Sequence, residues 1–105
     1  MHRLLVMAFF LLGTAASAAD PTATITIRDH QFVPAEVAVP AGVKVELIIR
    51  NDQIVPAEFE STALHREKVV APGATASIFV GPLRPGRYEF FDDFHPATRG
   101  VLAAQ

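Results

Sequence analysis

Asp and Glu number 11 in this 105-residue chain, His numbers 4, and cysteine is absent. Three short segments gather these groups. In Ala57-Glu58-Phe59-Glu60, an extended backbone puts Glu58 and Glu60 on one face and Phe59 on the other. His65-Arg66-Glu67-Lys68 puts His65 and Glu67 on one side in the same way. Asp92-Asp93-Phe94-His95 adds two carboxylates and an imidazole. Carboxylates with one imidazole suit a hard or borderline cation: Fe²⁺, Fe³⁺ or Mn²⁺, with Zn²⁺ and Cu²⁺ next. Glu58, Glu60, Glu67, Asp92, Asp93 and His95 are therefore the candidate metal ligands, and no residue is assigned a catalytic role.

Each group also has a plain structural reading. Asp92-Asp93 suits a solvated turn, because Asp bonds its own backbone there. His95 suits a structural hydrogen bond that ties its loop. Glu58 and Glu60 on one strand face repel each other unless positive charge lies near. Arg66 or Lys68 could supply it as surface ion pairs, worth about 0–1 kcal/mol each; a bound cation is the other supplier. Glu67, between Arg66 and Lys68, also fits a charged strand edge. His65 and His30 are lesser candidates, and Tyr88, Phe90, Phe91 and Phe94 read as packing.

The elements that hold these residues follow from patterning. Half of the residues are hydrophobic and 19% are charged, which excludes a disordered linker. The formal charge is −2 without a basic patch, so no nucleic-acid partner is expected. Residues 1–19 read as a signal peptide: His2-Arg3, an apolar run from Leu4 to Leu12, then Ala16-Ser17-Ala18-Ala19. That run is short of the about 20 apolar residues a bilayer demands. The reading implies export to the periplasm and no membrane span after cleavage. Residues 20–105 then form one domain with 8 basic and 11 acidic residues.

Within that domain, period-two patterns recur between Pro and Gly. Extended segments are expected at Thr22–Arg28, Gln31–Val39, Val43–Arg50, Ala57–Glu60, Glu67–Val70, Ala74–Val80, Arg87–Phe91 and Val101–Ala104. Seven to eight short strands with this punctuation predict an all-β sandwich.

Several strings together resemble the cupredoxin family of small copper-binding β-sandwiches. They are Phe32-Val33-Pro34, Val37 to Gly42, Val43 to Asn51, Leu83 to Phe90 and Gly100-Val101-Leu102. The resemblance implies a cupredoxin-like Greek-key β-sandwich whose copper loop is Tyr88 to Gly100. In that alignment Asp92 stands at the Cys position, His95 at the second His and Thr98 at the Met. Ala57 stands where the first His would be. A type 1 copper site needs a thiolate and usually a weak thioether. Residues 20–105 hold neither Cys nor Met, so blue-copper electron transfer is rejected on chemistry. The family fold also implies that the strand after Asn51 and the loop after Phe91 meet at one end.

PAEFES, REKVVAPG and GPLRPGRYEFFDDFH resemble a narrower group, the cupredoxin-like proteins of bacterial ferrous-iron uptake, relatives of the N-terminal domain of EfeO-type transport proteins. That resemblance implies a periplasmic site for iron, or copper or manganese, built partly from Glu and Asp beside a membrane iron permease. Two other functions fit the same residues. One is a ferroxidase working with a partner or second metal. The other is a metal-free interaction subunit of a membrane transport complex.

Overall fold

Alternation converts directly into strands. In Thr22–Arg28 (β1), Ile25 and Ile27 are fully buried while Thr24 and Arg28 face out. In Val45–Asn51 (β4), Val45, Leu47, Ile49 and Asn51 are buried and alternate with Glu46, Ile48 and Arg50. The computed structural model describes residues 19–105, so the expected signal peptide lies outside the described residues except for Ala19. Nine strands form among the described residues. The others are Gln31–Val33 (β2), Glu36–Val39 (β3), Ala57–Ser61 (β5), Arg66–Val70 (β6), Thr75–Val80 (β7), Gly86–Asp92 (β8) and His95–Ala104 (β9).

The strands make two sheets, ordered β2-β1-β4-β7 and β3-β9-β8-β5-β6. β1 runs parallel to β4 and β3 parallel to β9, and the remaining pairs are antiparallel. The apolar inner faces meet between the sheets. Phe32 of the first sheet lies edge-on to Phe59 and Phe90 of the second, with centroids 6.5 and 4.8 Å away. Such offset aromatic contacts add roughly 0.5–1.5 kcal/mol beyond area burial. Gly100 on β9 makes room for this cluster: a Cβ there would strike the Phe90 ring and come within 2.9 Å of the Ala35 carbonyl.

Three details differ from the patterning. Gln31–Val39 is two strands, because Pro34 breaks the ladder and the chain passes from the first sheet to the second. This raises the count to nine. Val43 is 42% exposed and precedes β4 instead of starting it. The segment after Phe91, expected as a loop up to Gly100, is mostly strand. β8 and β9 turn through Asp93 and Phe94 alone, and Asp92 pairs with His95. A register shift follows: Phe91 pairs with Arg99, so Pro96, Ala97 and Thr98 are extra residues on β9.

The topology puts four connections at one end of the sandwich: residues 29–30, 52–56, 71–74 and 93–94. Among the described residues no helix is long and apolar enough to cross a membrane.

Candidate metal centre

β5 lies between β6 and β8, and its alternation is strict. Ala57, Phe59 and Ser61 are buried, whereas Glu58 and Glu60 emerge half-buried on the outer face. Beyond the end of β8, the Asp93 amide donates to the Glu58 carbonyl at 2.9 Å, which draws the turn onto β5. One oxygen each from Glu58, Glu60 and Asp93 then lies within 4.8 Å of the other two. Around a cation with metal–oxygen distances of about 2.0–2.6 Å, two ligand oxygens are at most about 4–5 Å apart. These three carboxylates therefore fit a single hard ion. Glu67 joins them on the same face as the direct cross-strand partner of Glu60.

Among the described residues, no side-chain ion pair reaches this group. The side-chain ion pairs among the described residues join Arg28 and Arg50 to Asp52, Lys44 to Asp20, and Arg87 to Glu36. Arg66, a candidate counter-charge by sequence, donates to the Phe79 and His65 carbonyls. The electrostatic consequence is direct. Partial burial pushes the Glu58 carboxyl above its ordinary value, and the charges of Asp93, Glu67 and Asp92 push it further. Glu60 is raised by partial burial first, then by Asp93, Glu58 and Glu67. A hydrogen bond to Asp93 that only a protonated carboxyl can make adds to the effect.

Asp92 and His95 are placed differently. Asp92 is 1% exposed, and its Oδ1 accepts the amide protons of Glu58 and Phe94, both at 3.0 Å. It clamps β5 to the β8–β9 turn. His95 is exposed, with its Nδ1 2.8 Å from the Thr98 hydroxyl, and that hydroxyl donates to the His30 carbonyl at 2.6 Å. A hydroxyl that donates its one proton must accept from His95, so Nδ1 carries hydrogen and Nε2 is the free nitrogen. The His95 ring stacks on His30, centroids 4.1 Å apart and planes 18° apart. Lone pairs of stacked rings lie in near-parallel planes and do not converge on one ion. Of the six candidate ligands, the structure thus gathers Glu58, Glu60 and Asp93, sets Glu67 beside them, and commits Asp92 and His95 Nδ1 to partners within the protein.

Two residues outside the candidate set hold this end together. Thr98 is 3% exposed and joins His95 to His30. Asn51 is fully buried, and its Nδ2 donates to the carbonyls of Val55, Val70 and Ala71 at 2.8, 3.1 and 3.4 Å. Its Oδ1 accepts from the Gln53 backbone and side chain. A polar residue closing an apolar alternation was the signal for Asn51. The alignment placed Thr98 only at the Met position, and its structural role depends on the β9 bulge.

The family model described as Cupredoxin-like domain matches residues 2–104. An uncharacterized protein of Rickettsia prowazekii is 53% identical over 74 residues, which are 70% of this chain and 59% of that protein. The chain thus spans under two thirds of the length of that curated relative. The purple cupredoxin of Nitrosopumilus maritimus superposes with a TM-score of 0.64 at 20% identity, covering 79% of this chain and 99% of that one. The metal-binding domain of the Cu(I)-exporting ATPase CopA of Streptococcus pneumoniae superposes with a TM-score of 0.72 at 15% identity, covering 80% and 84%. Amicyanin of Paracoccus versutus gives 0.66 at 16% identity, covering 86% and 87%. At these identities the structural likeness shows the fold.

Proposed function

The chain belongs to the cupredoxin-like domain family, and we propose that this member is a periplasmic component of iron uptake that carries its ion on carboxylates. It has no cysteine, and hence no type 1 copper site of the thiolate kind. Glu58, Glu60 and Asp93 hold Fe²⁺ or Fe³⁺ as cargo, with Glu67 adding negative charge beside them. Mn²⁺ and Cu²⁺ are competing ions of suitable chemistry. The cargo passes to a membrane iron permease.

The observation that carries this reading is the triad itself. Three carboxylate oxygens lie within 4.8 Å of one another, and among the described residues no cation is ion-paired to them. Such a group is destabilising alone and stabilising around an ion. Oxygen donors without an imidazole select hard cations over Cu(I). The named structural neighbours that handle copper support a metal-carrying role for the fold, and the donor set argues for a different metal.

Anaerobic titration of the purified chain with Fe²⁺ tests this reading. We expect one ion per chain, and binding lost when Glu58, Glu60 and Asp93 are changed together to Gln, Gln and Asn. Absence of binding by the unaltered chain would overturn the proposal. Deleting the gene should slow growth in iron-poor medium only, and equal slowing in iron-rich medium would remove the iron-uptake role while leaving metal binding intact.

A further inference from the structure

We propose that the ion reaches this chain as an anionic chelate, and that Arg99 holds a carboxylate arm of the chelator in a hollow beside the acidic triad. The inference rests on the ion-carrying reading above. It names the form in which the cargo is taken: a small hydroxycarboxylate complex of iron.

The hollow comes from how β5 leaves its neighbour. The β5–β8 ladder is two pairs long, Phe59 with Asp92 and Glu60 with Phe91. At its end the Ser61 hydroxyl donates to the Glu89 carbonyl at 2.6 Å, and the chain then swings away into the β5–β6 connection. Thr62 and Ala63 of that connection form one wall. Glu89, Phe91 and Arg99 complete a hollow of about 440 Å³. Small-molecule sites run from about 300 to 1,000 Å³. A second hollow, of about 270 Å³, shares Glu89 and Arg99 with the first and reaches Arg87 and Glu36, which pair with each other.

Strand register joins the first hollow to the triad. Glu60 faces Glu67 on one side and Phe91 on the other, and Phe91 faces Arg99. Residues paired across strands share a face, so Glu67, Glu60, Phe91 and Arg99 form one row across the outer side of the sheet. Strands lie about 4.8 Å apart, which sets the Glu60 and Arg99 backbones about 10 Å apart. The guanidinium carbon of Arg99 is 5.4 Å from the Phe91 ring centroid. Its charge therefore leans over β8 toward the acids and narrows that gap.

Arg99 also differs from its neighbours. Arg87 pairs with Glu36, and Arg66 donates to two backbone carbonyls, whereas no side-chain ion pair among the described residues includes Arg99. Its planar fork matches a carboxylate in two parallel bonds. At the other end of the row, three carboxylate oxygens fill about half of the six positions of an octahedral ion. The rest are left for water or for the oxygens of an incoming ligand. An anion brought to this face meets Glu67 and Glu89, and Arg99 is the cation that offsets them. Glu89 restricts the occupant further, because it repels a second carboxylate in the hollow and accepts a hydroxyl. A chelator with carboxylates and a hydroxyl, gripping the ion with one part and reaching Arg99 with another, satisfies both ends of the row.

Equilibrium dialysis of the purified chain against ferric citrate tests this, with separate radiolabels on the iron and the citrate. The expected result is one citrate retained per iron, and none when citrate is offered without metal. Arg99→Gln should lower retention of the complex about tenfold, the scale of a charge-assisted bond. Mn²⁺ alone should bind that variant no more weakly than the unaltered chain, read by calorimetry. A thermal melt shows whether the variant is folded; if Arg99→Gln melts early, Arg99→Lys serves instead, keeping the charge and losing the fork, and should lower retention by a smaller factor. Iron retained without citrate, citrate retained without metal, equal retention by the Arg99 variant, or no retention by a chain that still binds Mn²⁺ overturns the inference and leaves the carboxylate site standing. Failure to bind either metal overturns that site as well.

Discussion

Two clusters flank the β8–β9 turn, one reaching to β5 and the other to the β1–β2 turn, and they are resolved in opposite ways. At the imidazole end, His95 Nδ1 donates to the Thr98 hydroxyl, which donates to the His30 carbonyl. On the adjoining sheet face, Glu58, Glu60 and Asp93 crowd together without an ion-paired cation among the described residues, and partial burial, followed by the acidic neighbours, raises the proton affinity of Glu58 and Glu60. The first arrangement engages His95 Nδ1 within the chain and leaves Nε2 free. The second leaves its charge to be balanced from solution, by a proton or, on the proposed reading, by a metal ion. The difference separates a histidine fixed in place by the fold from acids whose balance is set by solution.

The sharpest way to break this contrast is to compare ligand removal at the two clusters. Glu58→Gln combined with Glu60→Gln should weaken Mn²⁺ binding at least about 100-fold, equivalent to about 2.7 kcal/mol. His95→Ala should change it less than about threefold, a difference of under 1 kcal/mol. Isothermal titration calorimetry with Mn²⁺, which stays in one oxidation state in air, reads both. The reverse ranking would move the ion to the imidazole end and turn the acids into a bystander charge.

A second comparison acts on stability. Thr98→Val keeps volume and removes the hydroxyl that links His95 to His30. The His30 carbonyl loses a 2.6 Å bond and the left-handed turn loses one of its holds. We expect a loss of about 1–2 kcal/mol in urea unfolding, the scale for a polar partner left without its bond. Mn²⁺ affinity should be unaltered. A joint loss of stability and affinity would show that the two clusters act as one.

Much of this architecture was legible in residue order. Ile25 and Ile27 on β1, and Val45, Leu47 and Ile49 on β4, are inward as their alternation requires. Glu58 and Glu60 flank an inward Phe59 as spacing dictates. What spacing could not convey was distance across strands. Asp93 reaches the β5 acids because its amide bonds the Glu58 carbonyl, and that contact depends on how tightly β8 turns into β9. Asp92 and Asp93 are identical in type and adjacent, yet one is buried under two amides and the other is exposed beside two glutamates. A single peptide step reverses the side of a strand, and only the position of the turn decides which acid faces which way. The Pro34 switch between sheets and the β9 bulge were hidden for a similar reason: both are settled by pairing with distant partners, not by local preference.

The smallest effect concerns protons. In the metal-free chain, Glu60 in the fold holds its proton above its ordinary value of 4.5, because of partial burial and its acidic neighbours. Folding thus favours the protonated carboxyl. Its unfavourable contribution is absent below about 4.5, grows as pH rises through the raised folded value, and is complete above that. The stability difference between Glu60→Gln and the unaltered chain isolates this contribution from the other acids. It should be near zero at acidic pH and favour the amide increasingly toward neutrality, seen as a higher melting temperature for Glu60→Gln at pH 7. Saturating Mn²⁺ should reverse the sign at neutral pH, since the ion takes the place of the proton and the amide binds it poorly. A melting difference that ignores both pH and Mn²⁺ would mean that Glu60 is a solvated surface acid.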